Sequence, residues 1–362
     1  MIRKLRIRLI TASMLSMTLV LLVILGGLTA VMDPYFHYHG PLAGLSYPDG
    51  NERYQNDGII RNFTYDAVIT GNSMTENFRT SELNELFGVN AVKVPLNGSK
   101  FKEVDEQVRR AIRHNPDIRL VVRDLSGGML YEDKDAMRTD ITLPEYLYDD
   151  NPFNDVQYVL NKEILLEATA DTLRRTALGL PSIDFDTYQF WDDTMPHGPE
   201  VVRERGLNFI DLPGREGDEE AVLQTIRESM EQNFVETARE NPDIEFYCFI
   251  PPYSICWWER LHEEDSIELY IRYCEAACET LLQCENIRLF SFFDDYDVVT
   301  DLSNYSDWAH YSAEINSKLL RDMAAGNHAL TKENCADYWQ GVQDFYTAFD
   351  YEAYFADVYA AG

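Results

Sequence analysis

The order of apolar and polar residues along the chain predicts short strands that alternate with amphipathic helices. Apolar, β-rich runs occur at residues 67–70, 91–94, 120–123, 245–250 and 288–292. Between or after them, apolar residues recur at helical spacing over 76–87, 102–114, 218–239, 258–282 and 313–323. Buried strands interleaved with such helices favour a parallel sheet covered on both faces. The sequence therefore predicts an α/β fold.

Two segments depart from this alternation. Residues 126–215 are rich in Pro, Gly and Asp and contain one Trp, with one helical stretch at 155–178. So long a segment between strands predicts an insertion, either a lid or a wall beside a substrate, rather than a plain loop. Residues 326–362 form an aromatic and acidic extension, which either packs on the domain or contacts a partner protein.

The amino terminus has the pattern of a membrane anchor. The first eight residues carry the basic side chains Arg3, Lys4, Arg6 and Arg8. A mostly apolar, uncharged run follows over 9–32, and at about 1.5 Å per residue it can cross a hydrocarbon core about 30 Å thick. The basic flank predicts residues 1–8 in the cytoplasm and the bulk of the chain outside the cell membrane. A cleaved signal peptide is the alternative, although the run is long for one and residues 27–30 are a poor cleavage site.

The charge of the outer part limits its partners. It carries 27 lysines and arginines against 62 aspartates and glutamates, a formal net charge of −35. Such a surface repels nucleic acid and anionic lipid head groups, so nucleic-acid binding is excluded. Two explanations of the acidity stay open, namely solubility in a cation-rich exterior and attraction of a cationic substrate.

The cysteines do not predict a metal site. All six lie in the last third of the chain, at Cys248, Cys256, Cys274, Cys278, Cys284 and Cys335. An outer location permits disulfides, and six cysteines allow 15 pairings, among which the sequence does not choose. Since no Cys or His cluster has the spacing of a zinc site, we expect no metal and no cofactor.

Two distant motifs supply the groups of a serine nucleophile. Ser73 follows the strand at 67–70 in a Gly-x-Ser turn, and Asp307 precedes His310 by three residues. A serine hydroxyl needs a base to take its proton, and the base needs a carboxylate to fix its tautomer. Each motif has a plainer explanation, because Ser73 with Glu76 also fits a helix-capping box and Asp307 also fits a turn. Together, at the carboxyl ends of parallel strands, they favour a Ser–His–Asp triad.

These motifs resemble those of the SGNH (GDSL-like) hydrolase superfamily, in which a Gly-x-Ser follows the first strand and Asp-x-x-His precedes the last helix. More narrowly, the chain is similar to the membrane-anchored envelope branch, which includes the Dlt-system D-alanyl transfer protein and the alginate O-acetyltransferases. The resemblance covers residues 33–325, and Asp33-Pro-Tyr-Phe-His-Tyr38 adds to it. It implies a flavodoxin-like parallel sheet flanked by helices, with Ser73 as nucleophile, His310 as general base and Asp307 as its orienting partner.

The resemblance also implies an oxyanion hole. Its donors would be the backbone N–H groups of Ser73 and Gly98. The superfamily's third donor is an Asn after the third strand, where this chain has Arg123-Asp-Leu-Ser-Gly-Gly128. Asn97 and Ser126 are the candidates to replace it.

Residues after the fourth strand are predicted to border the same site. Pro251-Pro-Tyr-Ser254 follows that strand directly, so Tyr253 and Ser254 are expected at the rim. Trp257 adds an aromatic face that suits a sugar ring. Buried packing is the alternative for this tryptophan.

The predicted function is that of a membrane-anchored, extracytoplasmic esterase or acyltransferase. It would act on a cell-envelope glycopolymer such as teichoic acid through an acyl-Ser73 intermediate, with a membrane acyl-donor protein as a possible partner. The alternative is a catalytically inactive SGNH-like scaffold, or a glycan-binding subunit of an envelope polysaccharide assembly.

Overall fold

The computed structural model describes residues 2–141, 143–149, 151–206, 212–214 and 217–360. Within the predicted insertion at 126–215, residues 142, 150, 207–211 and 215 lie outside the described residues. The chain divides into two compact units. One consists of Met1–Phe63 with Ile141–Asp184, and the other of Thr64–Asp140 with Phe185–Gly362.

The described residues form helices and strands with the following bounds. The helices are α1 Ile2–Met32, α2 Glu52–Asn62, α3 Thr80–Phe87, α4 Phe101–His114, α5 Val156–Val159, α6 Thr169–Leu178, α7 Pro199–Arg205, α8 Glu219–Met230, α9 Glu236–Glu240, α10 Ile255–Glu263, α11 Ile267–Leu281, α12 Tyr296–Val299, α13 Ala313–Ala325, α14 Cys335–Ala348 and α15 Tyr351–Ala360. The strands are β1 Ala67–Thr70, β2 Ala91–Lys93, β3 Leu120–Asp124, β4 Glu245–Ile250, β5 Ile287–Ser291 and β6 Ala329–Leu330.

The larger unit is built on a six-stranded sheet in the order β2-β1-β3-β4-β5-β6. The first five strands are parallel, and β6 pairs antiparallel with β5. Strands β1, β2 and β3 are buried along their whole length, as expected when helices cover both faces. The predicted α/β class, with a mainly parallel sheet flanked by helices, is confirmed.

The aromatic extension packs on this same unit. The Tyr346 ring, on α14, stacks on Trp258 with centroids 3.7 Å apart and planes 2° from parallel. Its hydroxyl donates a hydrogen bond to the Phe293 carbonyl at 2.6 Å. Both rings are fully buried, so they extend the core instead of offering a face to a partner.

In the smaller unit, most of α1 exposes apolar side chains, and its last turns pack against neighbouring residues. Residues Arg3–Met32 are long and apolar enough to cross a membrane, and a signal sequence can have the same length and composition. A Cβ atom at Gly26 would lie 3.4 Å from side-chain atoms of Val159 and Leu160. The last turns of α1 therefore pack against α5 and the chain that follows it.

Asp33 fixes the chain as it leaves α1. Its buried carboxylate accepts hydrogen bonds from the N–H groups of His37, Tyr38 and His39 at 2.7–2.9 Å. The Tyr158 hydroxyl donates a fourth at 2.7 Å. Burial raises the pKa of Asp33, although these donors oppose that shift. The Asp33-Pro-Tyr-Phe-His-Tyr38 motif thus has a structural role, because Asp33 fixes the chain that directly follows α1.

All six cysteines lie within the described residues, and all are free and buried. Burial raises the pKa of Cys248 and Cys256 to about 12 and that of Cys335 to about 11. A thiol reacts as its thiolate, so these side chains are chemically inert while the protein is folded.

We expect an aromatic disulfide reagent at pH 8 to modify almost none of the six thiols of the native protein, because all six are buried away from the reagent. The same assay in concentrated guanidinium should titrate all six. Rapid modification of several thiols without denaturant would contradict the buried placement.

Candidate active site

The nucleophile turn depends on Gly71, which follows β1 directly. Gly71 has φ +146°, and a Cβ atom there would lie 2.0 Å from Asp124 Oδ1 and 2.7 Å from Thr75 Cγ2. Its carbonyl accepts a hydrogen bond from Leu96 N–H at 2.7 Å. Only glycine has room for this approach, and it brings the start of the turn against the segment after β2.

The side chain of Asp124, at the end of β3, stabilises this turn by accepting hydrogen bonds. Its Oδ1 accepts the Asn72 N–H at 3.0 Å, and its other oxygen accepts the Ser126 hydroxyl. Asn72 Nδ2 donates to Ser126 Oγ at 2.8 Å, which closes the network. Burial raises the pKa of Asp124 above its ordinary value, with these donors opposing the shift. Asp124 lies in the stretch 123–128, where this chain lacks the superfamily's Asn motif, and its role in the turn was not predicted from the sequence.

The capping role considered for Ser73 is filled by the preceding residue, Asn72. Asn72 caps the short 3₁₀ turn Ser73–Thr75, because its Oδ1 accepts the Met74 N–H at 2.9 Å. Glu76 instead accepts hydrogen bonds from Asn97 Nδ2 at 3.2 and 3.4 Å. The Ser73 hydroxyl is therefore left to face the imidazole of His310.

Ser73, His310 and Asp307 form one chain of hydrogen bonds. Ser73 Oγ lies 2.8 Å from His310 Nε2, although the two residues are 237 positions apart. His310 Nδ1 lies 2.8 Å from Asp307 Oδ2. The other oxygen, Asp307 Oδ1, accepts the N–H groups of Ala309 and His310, both at 2.8 Å. The carboxylate is thus fixed at both oxygens, and the structure brings together all three predicted residues.

The pKa shifts of Asp307 and His310 suit His310 as a general base. Burial lowers the pKa of His310, but the hydrogen bond and charge of Asp307, with Glu76 adding to them, raise it above 6.5 overall. Burial raises the pKa of Asp307, but the same hydrogen bond and the adjacent N–H donors bring it below its ordinary value. Asp307 is therefore ionised at neutral pH, as a partner that orients an imidazole must be.

Two backbone N–H groups are available as donors to an oxyanion. Among the described residues, neither the Ser73 N–H nor the Gly98 N–H has a hydrogen-bond acceptor. Gly98 has φ +62° in a turn closed by the Ser99 N–H to the Leu96 carbonyl at 3.0 Å. A tetrahedral intermediate requires uncommitted N–H groups of this kind, and the oxyanion role of these two stays a prediction.

The side chains predicted as a third donor have other partners. Asn97 directs its amide at Glu76, and Ser126 donates its proton to Asp124. The Asn97 amide therefore lies against a carboxylate, and its role as an oxyanion donor stays a prediction.

Tyr253, Ser254 and Trp257 are buried, contrary to the expectation that they border the site. Their relative exposures are 3%, 0% and 5%. The rings of Tyr253 and Trp257 pack together at 4.4 Å, the buried alternative for Trp257. Ser254 holds the triad loop, because its N–H and hydroxyl both donate to the Trp308 carbonyl, at 2.9 and 2.8 Å. In this structure these residues support the site without presenting a face to a sugar.

Trp191, which the sequence analysis did not single out, lies beside the triad. Its ring meets His310 edge to face, with centroids 5.6 Å apart and planes at 82°. Its indole N–H donates to the Ser73 carbonyl at 3.4 Å, and its backbone N–H donates to Asn77 Oδ1 at 3.1 Å. The residue belongs to the segment predicted as a lid or substrate wall, and it is the one tryptophan of residues 126–215.

We expect Trp191→Ala to lower kcat/KM for an activated ester by about 10- to 100-fold, or about 1.4–2.7 kcal/mol. Loss of the ring would open the triad to water and remove an apolar wall, so KM and kcat should both change. Trp191→Phe keeps the wall and should recover most of the loss. Steady-state hydrolysis of p-nitrophenyl acetate measures both variants, and an unchanged Trp191→Ala enzyme would show that the ring plays no part.

Comparison with known proteins leaves the chain without an assigned family. No family model matches it, and no curated protein matches it. Among solved structures it is similar to "a putative platelet activating factor" from Streptococcus pneumonia, at 13% identity over 75% of this chain and 91% of the other. The TM-score is 0.37, a likeness too low to carry an argument about function.

Proposed function

We propose that the chain is a membrane-anchored serine esterase or O-acyltransferase of the SGNH type. The observation that carries this proposal is the hydrogen-bonded series Ser73–His310–Asp307. It is supported by the N–H groups of Ser73 and Gly98, which have no acceptors among the described residues. The strand order β2-β1-β3-β4-β5 is that of flavodoxin-like sheets, and it supports the SGNH-like assignment. Ser73 lies just after β1, and Asp307 and His310 lie just before α13, as in the pattern of the SGNH family.

The proposed first half-reaction forms an acyl-enzyme. Ser73 Oγ bonds to the acyl carbon while its proton passes to His310 Nε2. The Ser73 and Gly98 N–H groups hold the negative oxygen of the tetrahedral intermediate. As the intermediate collapses, the bond from the acyl carbon to the alcohol oxygen breaks, and His310 returns the proton to the leaving alcohol.

The second half-reaction releases the acyl group to an acceptor. His310 takes a proton from the acceptor hydroxyl, whose oxygen bonds to the acyl carbon. As this second tetrahedral intermediate collapses, the bond from the acyl carbon to Ser73 Oγ breaks, and His310 returns the proton to Ser73. Water as the acceptor gives hydrolysis, and a sugar hydroxyl gives transfer. The same residues serve both outcomes, so the acceptor decides between esterase and transferase.

A cell-envelope glycopolymer is the proposed substrate, with a membrane acyl-donor protein as the proposed partner. The support is the apolar helix α1, which would tether the unit with the triad next to membrane-linked polymers at high effective concentration. The packing of Gly26 against Val159 and Leu160 supports retention of α1 as an anchor, because cleavage as a signal peptide would remove part of a folded unit.

Labelling with a fluorophosphonate probe tests the proposed activity. The full-length protein in detergent should react at Ser73, and Ser73→Ala should abolish the label. Ser303→Ala is the matched control, since Ser303 is an exposed serine that donates to Asp301 and, among the described residues, has no hydrogen bond to a histidine. A folded wild-type protein that takes no label would favour the inactive scaffold.

A further inference from the structure

The smaller unit exposes apolar side chains beyond the anchor itself. Outside α1, the exposed large apolar side chains among the described residues belong to this unit, except Leu86, Met137 and Met195. Phe153 is 90% exposed, ahead of α5. A soluble surface rarely concentrates such residues on one small unit without a function for them.

Several of these side chains form one stripe along a helix. A π-helical turn, Ile164–Ala168, runs without a break into α6. Leu166 and Leu173 are 61% and 43% exposed, and Ala170 and Ala177 are also exposed. A spacing of three to four residues places all four on one face. The opposite face, with Ala168, Thr169 and Thr172, is buried. This helix therefore has a packed face and an apolar face without cover.

The helix that carries the stripe contacts the anchor. Helix α1 contacts α5, the π-helical turn and α6, all within the same unit. The anchor and the helix with the exposed apolar face therefore belong to a single folded unit. The segment 153–180 has three basic and four acidic residues, so it does not share the strong acidity of the remaining outer chain. Charge does not oppose its approach to a lipid surface.

We propose that this stripe, defined as Leu166, Ala170, Leu173 and Ala177, lies in the outer leaflet of the bilayer that α1 spans. A helix with one apolar face lies in the membrane plane at the boundary between head groups and acyl chains. The occupant is lipid, because the helix that carries the stripe contacts α1, which would already be surrounded by lipid. The inference rests on the proposed anchoring by α1, and the experiment below separates the two.

Nitroxide labels on the full-length protein in phosphatidylcholine vesicles test this placement. Leu166→Cys and Leu173→Cys report on the stripe, and their neighbours Glu167→Cys and Arg174→Cys are matched controls exposed on the same helix. Leu15→Cys reports on the anchor. The buried native thiols leave the introduced cysteine as the reactive one. Power saturation then compares collisions with oxygen, which concentrates in lipid, and with a water-soluble nickel chelate.

The expected result is a several-fold higher ratio of oxygen to nickel collisions at Leu166→Cys and Leu173→Cys than at the two controls. Equal, water-like ratios at all four positions, with a lipid-like Leu15→Cys, would overturn the inference while the anchor stands. A water-like Leu15→Cys would overturn both. Dipolar broadening between Leu173→Cys labels that disappears on dilution with unlabelled protein would show a second copy on the stripe, and would also overturn the inference.

Discussion

Replacing Asp307 with asparagine is expected to lower kcat for ester hydrolysis by about 10⁴, with little change in KM, by analogy with the same change in serine proteases. Asp307 Oδ1 accepts two backbone N–H groups, so the amide oxygen should keep that position. The amide NH₂ then faces His310 Nδ1 and donates to it. This forces the proton onto Nε2, where it blocks transfer from Ser73.

The pH profile gives this variant a second signature. In the wild type, His310 must be neutral to accept the Ser73 proton, and its pKa is raised above 6.5 chiefly by Asp307 against the effect of burial. We therefore expect kcat/KM to fall as the pH drops through a value above 6.5. In Asp307→Asn the raising charge is gone, so the residual activity should hold to lower pH.

Asp301→Asn is the matched control. Asp301 also accepts a backbone N–H, from Ser303 at 3.0 Å, but it has no histidine partner in its hydrogen bonds. Its replacement should leave turnover within about twofold of wild type, since it lies outside the triad. Full activity in Asp307→Asn, or an equal loss in both variants, would refute the proposed role of Asp307.

The second large effect is expected from Gly71→Ala, with a loss of about 2–4 kcal/mol in the free energy of unfolding and of nearly all activity. The added methyl group would overlap Asp124 Oδ1, which must then leave the Asn72 N–H. The backbone would also be strained at φ +146°. Guanidinium unfolding followed by tryptophan fluorescence measures the loss, and probe labelling measures the activity.

Gly88→Ala separates strain from crowding. Gly88 also has a positive φ, +65°, but nothing lies within 4 Å of an added Cβ atom. Only the backbone strain should remain there, at about 1 kcal/mol, with activity unchanged. Similar losses of stability and activity in the two variants would mean that Asp124 does not hold the nucleophile turn.

The sheet was predictable from the sequence because its strands are short, buried and β-rich. Strands β1 and β4 have the predicted bounds, and β3 differs by one residue at its end. Strand β6 was missed because it has two residues and pairs antiparallel at the edge. The predicted helix 258–282 is two helices, α10 and α11, since Asp265 adopts φ +51° between them.

Helix α2 was missed because it buries polar residues. Glu52, Arg53 and Gln55 are almost fully buried, so the segment lacks the apolar spacing of an amphipathic helix. Arg53 pairs with Glu52, and Gln55 Oε1 accepts the Gly50 N–H at 2.9 Å. Partners of this kind come from tertiary folding, and a pattern of hydropathy does not contain them.

The residues of the candidate site also fall into those that could be predicted from the sequence and those that could not. Ser73, Asp307 and His310 were identifiable because their chemistry imposes residue types and chain order. Asp124 and Trp191 were not, because each acts through a contact that folding creates, 52 residues from Asn72 in one case and 118 from Ser73 in the other. The same reason explains why Tyr253 and Trp257 were placed at a rim that they do not reach.

Under the proposed extracytoplasmic location, the six free cysteines bear on how the chain matures. Oxidants there reach sulfur only where the polypeptide is open, and in the native state none of the six is open. The hazard is confined to the newly exported chain, in which any two sulfurs can crosslink wrongly. Export must therefore be followed by folding that is faster than air or enzymatic oxidation, and recovery from denaturant should succeed with a reductant and fail without one.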